Sequence, residues 1–227
     1  MSATPSHARS PLRIGMMFGA LLSGAAGTGA AGAAEAPAAV AGAPAVVQAA
    51  PLVAAQAHSQ FFEQLRGLCG QAFEGRVVQD QPKSGGGFEG RLLMHVRRCS
   101  EREIQIPFHV GDNHSRTWII SQTGSGLSLK HDHRRADGRS DASTMYGGHT
   151  RDAGWPQLQS FPADPYSQEL FLRQGMAASV GNTWQLLINT ELKSFSYRLL
   201  RESREFRVDF DLGKPVTAPP APWGYSD

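Results

Sequence analysis

The sequence lacks an excess of charge of either sign and lacks any long apolar run. Its 22 basic residues are nearly matched by 20 acidic ones, and the two kinds are interspersed. Without a basic surplus there is no electrostatic attraction for nucleic acid or for an anionic membrane, so we expect neither as a partner. A membrane-spanning helix needs about 20 strongly apolar residues in a row, so we expect no integral membrane segment in the mature protein.

The short motifs of several common enzyme classes are also missing. The sequence contains no G-x-S-x-G, no H-E-x-x-H and no G-x-x-x-x-G-K-[ST]. The glycines at 85–87 are not followed by a helical pattern, so they indicate a hairpin turn rather than a phosphate-binding loop. A non-enzymatic role is therefore favoured over catalysis, although the pattern leaves an enzyme open.

The N-terminus has the layout of a secretory signal peptide. Residues 1–13 are basic and carry no acid, residues 14–26 form a short uncharged apolar run, and Ala31-Gly32-Ala33 supplies small residues for cleavage. This layout predicts a periplasmic or secreted protein. The predicted organisation is a signal peptide over 1–33, an Ala/Pro-rich flexible spacer over 34–57, one β-rich domain over 58–214 and a Pro-rich tail over 215–227.

Cysteine is scarce, with Cys69 and Cys99 as the only two in the sequence. In an exported protein an even count indicates a disulfide, and two cysteines can pair within the chain in one way. A catalytic thiol would need an activating base beside it, and the sequence shows none. We therefore predict a structural disulfide.

The hydrophobic pattern is helical at first and then alternating. Residues 59–69 place Phe61, Phe62 and Leu65 on one face, which predicts a short amphipathic helix capped by Ser59 and ended by Gly70. Alternating stretches with turn residues between them follow, at 91–98, 102–110, 115–122, 127–133, 182–190, 194–203 and 204–212.

This succession of strands predicts the fold class. About eight antiparallel strands with one apolar face form a β-barrel or a sandwich, here preceded by one short helix. Pro107 cannot donate to a sheet, so its strand is expected at an edge or at a bulge. Residues 134–180 are irregular, with a short element expected near 168–174. The plan is similar to lipocalin-like barrels at the level of fold, which does not fix a function.

Histidines supply the candidate site. His95 and His109 are out of phase with the apolar residues of their strands, so we expect both to face solvent. His131 and His133 share the parity of the two leucines before them, which predicts that both imidazoles point inward.

Two histidines at i and i+2 of a strand can reach one metal ion, such as zinc or iron. Asp137, His149 and His114 are candidates for the remaining ligands. His131-x-His133-x-x-x-Asp137 is similar to half of the metal motif of cupins, but the glycine is out of register and the second cupin motif is missing. The alternative is a polar network without metal, which the incomplete ligand set favours.

Inward aromatic residues supply a second candidate. Trp184 and Tyr197 belong to the apolar faces of two strands, where they either fill the core or line a ligand cavity. We expect a small or apolar ligand between them, with His131 and His133 near the mouth.

Several longer stretches carry a resemblance. These are IPFHVGDNHSRTWIIS, GLSLKHDHRRADG, MYGGHT, NTWQLLINTELKSFSYRLLRESREFRVDFDLGKPV and PPAPWG. Together they resemble a family of uncharacterised exported bacterial proteins over most of residues 60–224. The resemblance implies export and adds no activity. The leading hypothesis is an exported module that binds a small or apolar ligand, with a metal-dependent enzyme and a structural envelope protein as alternatives.

Overall fold

A computed structural model describes residues 55–83 and 87–226. The signal peptide predicted over 1–33 lies outside the described residues, as does all but the end of the predicted spacer. The helices are α1 (Gln56–Arg66) and α2 (Pro165–Arg173), with a 3-10 helix at Ala177–Gly181. The strands are β1 (Ala72–Gln81), β2 (Leu92–His95), β3 (Arg98–Cys99), β4 (Glu103–Val110), β5 (Asn113–Thr123), β6 (Gly126–His133), β7 (Tyr146–His149), β8 (Leu158–Pro162), β9 (Thr183–Asn189), β10 (Ser194–Arg201) and β11 (Arg204–Val216).

All strands join one antiparallel sheet in the order β7-β6-β5-β4-β2-β1-β11-β10-β9-β8, with β3 also paired to β4. The two outer strands approach each other. Gly148 of β7 forms a bridge with Ala163, just after β8, and the Asp164 N–H donates to the Gly147 carbonyl at 3.0 Å. The sheet is therefore nearly closed into a barrel, and the predicted mainly β, antiparallel class is confirmed.

The described residues form eleven strands rather than about eight. Of the strands that the pattern missed, β7 and β8 are short and lie in the region predicted to be irregular. β1 begins with two buried residues, but Val77 and Val78 further along it are more than a third exposed, so its apolar residues do not alternate cleanly. Tertiary pairing, rather than a two-residue hydrophobic period, places these segments in the sheet.

Of the two expectations for Pro107, the edge is wrong because its strand is internal, whereas the bulge is close to what the structure shows, since the register with β5 shifts between Phe108 and Val110. β4 pairs with β5 on one side, and on the other side with β2 as far as Phe108 and with β3 from Gln105. The missing proline N–H therefore lies where the neighbouring strand is interrupted, so no sheet hydrogen bond is lost there.

Helix α1 closes one end of the barrel. Phe61, Phe62 and Leu65 are fully buried, as their helical spacing predicts. The helix begins earlier than expected, so Ser59 lies inside it and does not cap it. Gly70 has a left-handed φ of 83°, but the helix has already ended at Arg66 and a turn intervenes. The predicted pair Cys69 and Cys99 lies at disulfide distance and links this turn to β3.

Helix α2 and the 3-10 helix lie at the opposite end, between β8 and β9. Asp164 caps α2 by accepting a hydrogen bond from the Ser167 N–H at 2.9 Å, and Pro165 occupies the first turn, where its missing N–H costs nothing. This cap fixes where the chain turns away from the sheet. The short element expected near 168–174 is therefore a helix that begins at Pro165.

The C-terminal tail, residues 217–226, packs against the outer side of β5 and β6. The Trp223 N–H donates to the His114 carbonyl at 3.0 Å, and the Tyr225 hydroxyl donates to Asp132 Oδ2 at 2.6 Å. No helix of the described part of the chain is long and apolar enough to cross a membrane.

The prediction that His95 and His109 face solvent is wrong. Both are buried, and His109 is only 1 % exposed. The His114 ring stands edge-on to the His109 ring with 4.3 Å between centroids, and Trp223 of the tail lies beside His114. Alternation assigned these histidines to the correct outer face, but it could not show that other residues cover part of that face.

Candidate functional site

A cavity of about 270 Å³ lies at the end of the barrel opposite α1. Between the cavity and α1 the interior is filled by a continuous apolar core. The cavity is lined by residues from the strand ends, from α2 and the 3-10 helix, and from the segment after β1: Phe88, Phe108, Arg116, Trp118, His131, His133, Ser143, Tyr146, Phe171, Met176, Ser179, Asn182, Trp184, Tyr197, Leu199, Arg204 and Phe206.

Aromatic rings form most of the wall. Trp118 of β5 and Tyr197 of β10 stack almost in parallel, with 4.6 Å between ring centroids and 6° between planes. The ring centroids of Tyr146 in β7 and Trp184 in β9 are 5.7 Å apart. The alternation of β5, β9 and β10 turns these side chains inward, so strands distant in sequence build one apolar surface.

His131 and His133 do point inward, as strand parity predicts. His131 is 3 % exposed and His133 lies at the edge of the cavity. His131 Nδ1 lies 3.2 Å from the Tyr146 carbonyl, and Nε2 lies 2.9 Å from the Tyr197 hydroxyl. Because a carbonyl can only accept, Nδ1 carries the proton and Nε2 of the neutral ring accepts from Tyr197. Both ring nitrogens of His131 are thus engaged.

Burial keeps the two imidazoles neutral. Burial lowers the pKa of His131 to about 3, and the neighbouring His133 adds to the effect. Burial lowers the pKa of His133 to about 4, with the charge of Arg116 as the next cause. His133 Nε2 is hydrogen-bonded to the Tyr146 hydroxyl at 3.0 Å. At neutral pH the pair therefore contributes hydrogen-bonding groups and no charge.

The other residues proposed as metal ligands lie elsewhere. The Asp137 carboxylate is exposed and accepts a hydrogen bond from Arg139. His149 is half exposed at the far end of β7, where its Nδ1 lies 3.7 Å from Asp164 Oδ2. His114 lies on the outer side, beside the tail. Across residues 55–83 and 87–226, no three His, Cys, Asp or Glu side chains are grouped so that they could hold a metal ion. The metal site stays a prediction.

Trp184 and Tyr197, proposed as ligand-binding residues, both line the cavity. Trp184 is 1 % exposed and Tyr197 is 9 % exposed. Burial raises the pKa of the Tyr197 hydroxyl well above its usual value, so this group remains protonated and able to donate. The structure brings the two together with His131 and His133, and whether they bind a ligand stays a prediction.

Arg116 and Tyr146 belong to the site and were not predicted. Arg116 lies on β5 at the register position opposite His133, and its guanidinium lies over the Phe88 ring at 5.6 Å. Arg116 and Trp118 are two residues apart, so both side chains point inward. Because Arg116 is charged, the strand does not show a clean alternation of apolar and polar residues. Tyr146 follows a loop in the region that appeared irregular. The only sequence feature that could have indicated Arg116 is its position two residues before Trp118, which places both side chains on the same face of β5.

A second depression, of about 610 Å³, lies along β1, β10 and β11 at the end where α1 packs. Acidic and basic residues both line it, and its carboxylates are already paired. Asp209 pairs with Arg207 at 2.6 Å, and Asp211 pairs with Lys214 at 3.5 Å. This mixed and open surface offers no distinct chemistry, so the aromatic cavity is the candidate site.

Comparison with known proteins adds no assignment, because no family model, no curated protein and no solved structure matches the chain. The resemblance to uncharacterised exported bacterial proteins therefore stays a prediction. The case for a function depends on the cavity itself.

Proposed function

We propose that the protein is an exported β-barrel module that binds a small, largely apolar molecule in the aromatic cavity. The observation that carries this proposal is a cavity of about 270 Å³ with aromatic walls, at the one end of the barrel that α1 does not fill. Apolar cavities of about 150 Å³ can hold a benzene ring, so this one has room for one or two rings. Ligand sites are typically concave and apolar with a few polar groups, and this cavity has that composition.

Binding without catalysis accounts for the site better than a metal-dependent reaction does. The inward histidines are hydrogen-bonded to tyrosines, and no third metal ligand among the described residues converges on them. The proposal of export rests on the N-terminal sequence layout. A disulfide between Cys69 and Cys99 is compatible with an oxidising compartment.

The test is native mass spectrometry of the full-length protein expressed in a bacterium and recovered from the exported fraction. We expect a mature mass that lacks about the first 33 residues, together with a retained organic adduct or the capacity to bind added indole. A retained metal of stoichiometric mass would favour the metal alternative. A mass that includes residues 1–33 would reject export.

A cavity-filling variant locates the binding. Leu199→Trp places a larger side chain into the cavity wall, and we expect at least a tenfold loss of indole affinity by calorimetry. Leu192→Trp is the matched control, because Leu192 is 76 % exposed in the turn between β9 and β10. Indole that binds both variants equally well, or no binding to the unmodified protein, would reject the cavity as the site.

A further inference from the structure

We infer that the ligand is a small aromatic or apolar monocarboxylic acid whose carboxylate pairs with Arg116. This inference rests on the proposed function, since it names the chemical class of the molecule in the same cavity. It starts from the arginine, because a partly buried cation whose buried Nη1 has no hydrogen-bond partner among the described residues requires an explanation.

In the part of the chain that the structure describes, Arg116 lacks the carboxylate partner that several other arginines of the protein have. Its Nη1 is buried and hydrogen-bonds no atom of the described residues, and no carboxylate there forms an ion pair with it. Four other arginines have such partners at 2.6–2.8 Å: Arg134 with Asp132, Arg198 with Glu205, Arg204 with Asp80 and Arg207 with Asp209. Arg116 thus differs from these four arginines, each of which is held by a carboxylate.

The rest of the cavity wall leaves the charge of Arg116 uncompensated. None of the described residues that line the cavity is Asp or Glu. His131 and His133 are neutral at pH 7, and Arg204, the other lining cation, is paired with Asp80 at 2.6 Å. An arginine cannot shed its proton in a protein, so the cavity carries one net positive charge. One monoanion would balance it.

The geometry around Arg116 suits a carboxylate rather than a larger anion. A guanidinium presents two parallel N–H groups that match the two oxygens of a carboxylate. A phosphate dianion would call for further cations or a free helix N-terminus, and the N-terminus of α2 is already capped by Asp164. The walls beyond Arg116 are the stacked pair Trp118–Tyr197 and the ring of Trp184, which would hold the apolar body.

The cation–π contact with Phe88 does not replace an anion. Such a contact is weaker than an ion pair with a carboxylate, and it leaves the buried Nη1 without a hydrogen bond to any described residue. The Arg116–Phe88 distance of 5.6 Å is at the outer part of the useful range. Phe88 therefore orients the guanidinium beside the cavity, and the ligand supplies the charge.

The test compares acids with amides of the same shape. We would titrate the unmodified mature protein with 2-naphthoate and 2-naphthamide, and with benzoate and benzamide, by calorimetry at pH 7.5. We expect at least one acid to bind tenfold or more tightly than its amide, because only the acid supplies a charge for Arg116. Arg116→Gln should reduce this preference to less than twofold while leaving binding of the amide within about threefold.

The control is Arg91→Gln, because Arg91 is exposed and pairs with Glu74 outside the cavity. It should keep the full preference for the acid. Arg116→Lys, which keeps the charge and loses the paired donors, should keep part of the preference. In the absence of ligand, Arg116→Gln should be at least as resistant to urea as the unmodified protein, because it removes a partly buried charge that no carboxylate of the described residues pairs with.

Each contrary result separates this inference from the proposed function. Amides that bind the unmodified protein as tightly as acids would overturn the carboxylate and leave the small-molecule site intact. A preference for acids that survives Arg116→Gln would overturn the role of Arg116. No binding by any of the four probes would overturn the inference and the proposed function together.

Discussion

At the scale of the residue, two adjacent glycines decide how closely the barrel can close. A Cβ atom at Gly148 would lie 1.9 Å from the Pro162 carbonyl oxygen, and one at Gly147 would lie 1.8 Å from the Leu129 carbonyl oxygen. Both neighbours are backbone atoms that cannot rotate away. The bridge between β7 and the end of β8 therefore requires a residue without a side chain at 148, and the close pairing of β7 with β6 requires one at 147.

We predict that Gly148→Ala destabilises the protein by about 2 kcal/mol or more, because the added methyl pushes β7 away from β8. The loss should appear as a lower urea midpoint. Gly181→Ala in the 3-10 helix is the matched control, since nothing lies within 4 Å of its Cβ position, and we expect a change under about 0.5 kcal/mol. Equal midpoints for the two variants would contradict this account of the closure.

For single residues, the sequence predicted the orientation of some side chains of the site and missed others. The two-residue alternation correctly predicted that His131 and His133 point inward, because the leucines before them mark the core face of the strand. It missed Arg116, since a charged residue normally indicates the solvent side of a strand. It misjudged His109, since alternation gives the face of the sheet on which a residue lies and says nothing about what packs on that face.

At the scale of the element, the C-terminal tail stabilises the outer side of the barrel through one carboxylate. Asp132 is 2 % exposed and accepts from Tyr225, Arg134 and Thr144. These hydrogen bonds hold the pKa of Asp132 below its usual value although burial acts in the opposite direction. A residue near the end of the chain thus satisfies a buried charge on β6.

We predict that Tyr225→Phe costs about 1–3 kcal/mol, because it removes a hydrogen bond of 2.6 Å to a buried carboxylate. Urea denaturation monitored by circular dichroism would measure the loss. Tyr166→Phe should cost less than about 0.5 kcal/mol, since that side chain is 46 % exposed and its bond to the Thr144 carbonyl is 3.2 Å long. An unchanged urea midpoint for Tyr225→Phe would mean that this contact of the tail contributes little to stability.

Elements differ in how well the sequence predicts them. The amphipathic helix and the strands with one clean apolar face, such as β11, were predicted because local periodicity matches their burial. β7 and β8 were not, because β7 contains two glycines in four residues and β8 begins after a turn within a polar stretch. Their place in the sheet is set by strands far away in the sequence.

At the scale of the whole molecule, buried histidines make stability depend on pH. The folded-state pKa is about 4 for His109 and His133 and about 3 for His131, all lowered mainly by burial from an ordinary value of 6.5. Below pH 6.5 the unfolded chain takes up protons that the folded protein does not. The contribution of these groups is therefore complete above pH 6.5 and is lost as the pH falls towards 4.

We predict a lower free energy of unfolding at pH 4.5 than at pH 7.5, with each of the three histidines contributing up to about 1.4 kcal/mol per pH unit below 6.5. Urea denaturation at both values measures the difference. His109→Leu should reduce the difference, because both ring nitrogens of His109 are buried beside His114 and His95 and have no hydrogen-bond partner in the described part of the chain. An unchanged difference in His109→Leu would contradict burial of His109 as a cause.

The pairing of β1 with β11 has a consequence for the timing of folding. Among the described residues β1 is the first strand and β11 the last, and they meet from Ala72 opposite Val216 to Gln81 opposite Glu205. β2 pairs only with the first four residues of β1, so the rest of β1 has no partner on either side until β11 has been synthesised. Pairing of such distant segments is slow. The barrel can therefore form only after β11 has been synthesised, so most of β1 stays unpaired while the strands between them emerge from the ribosome.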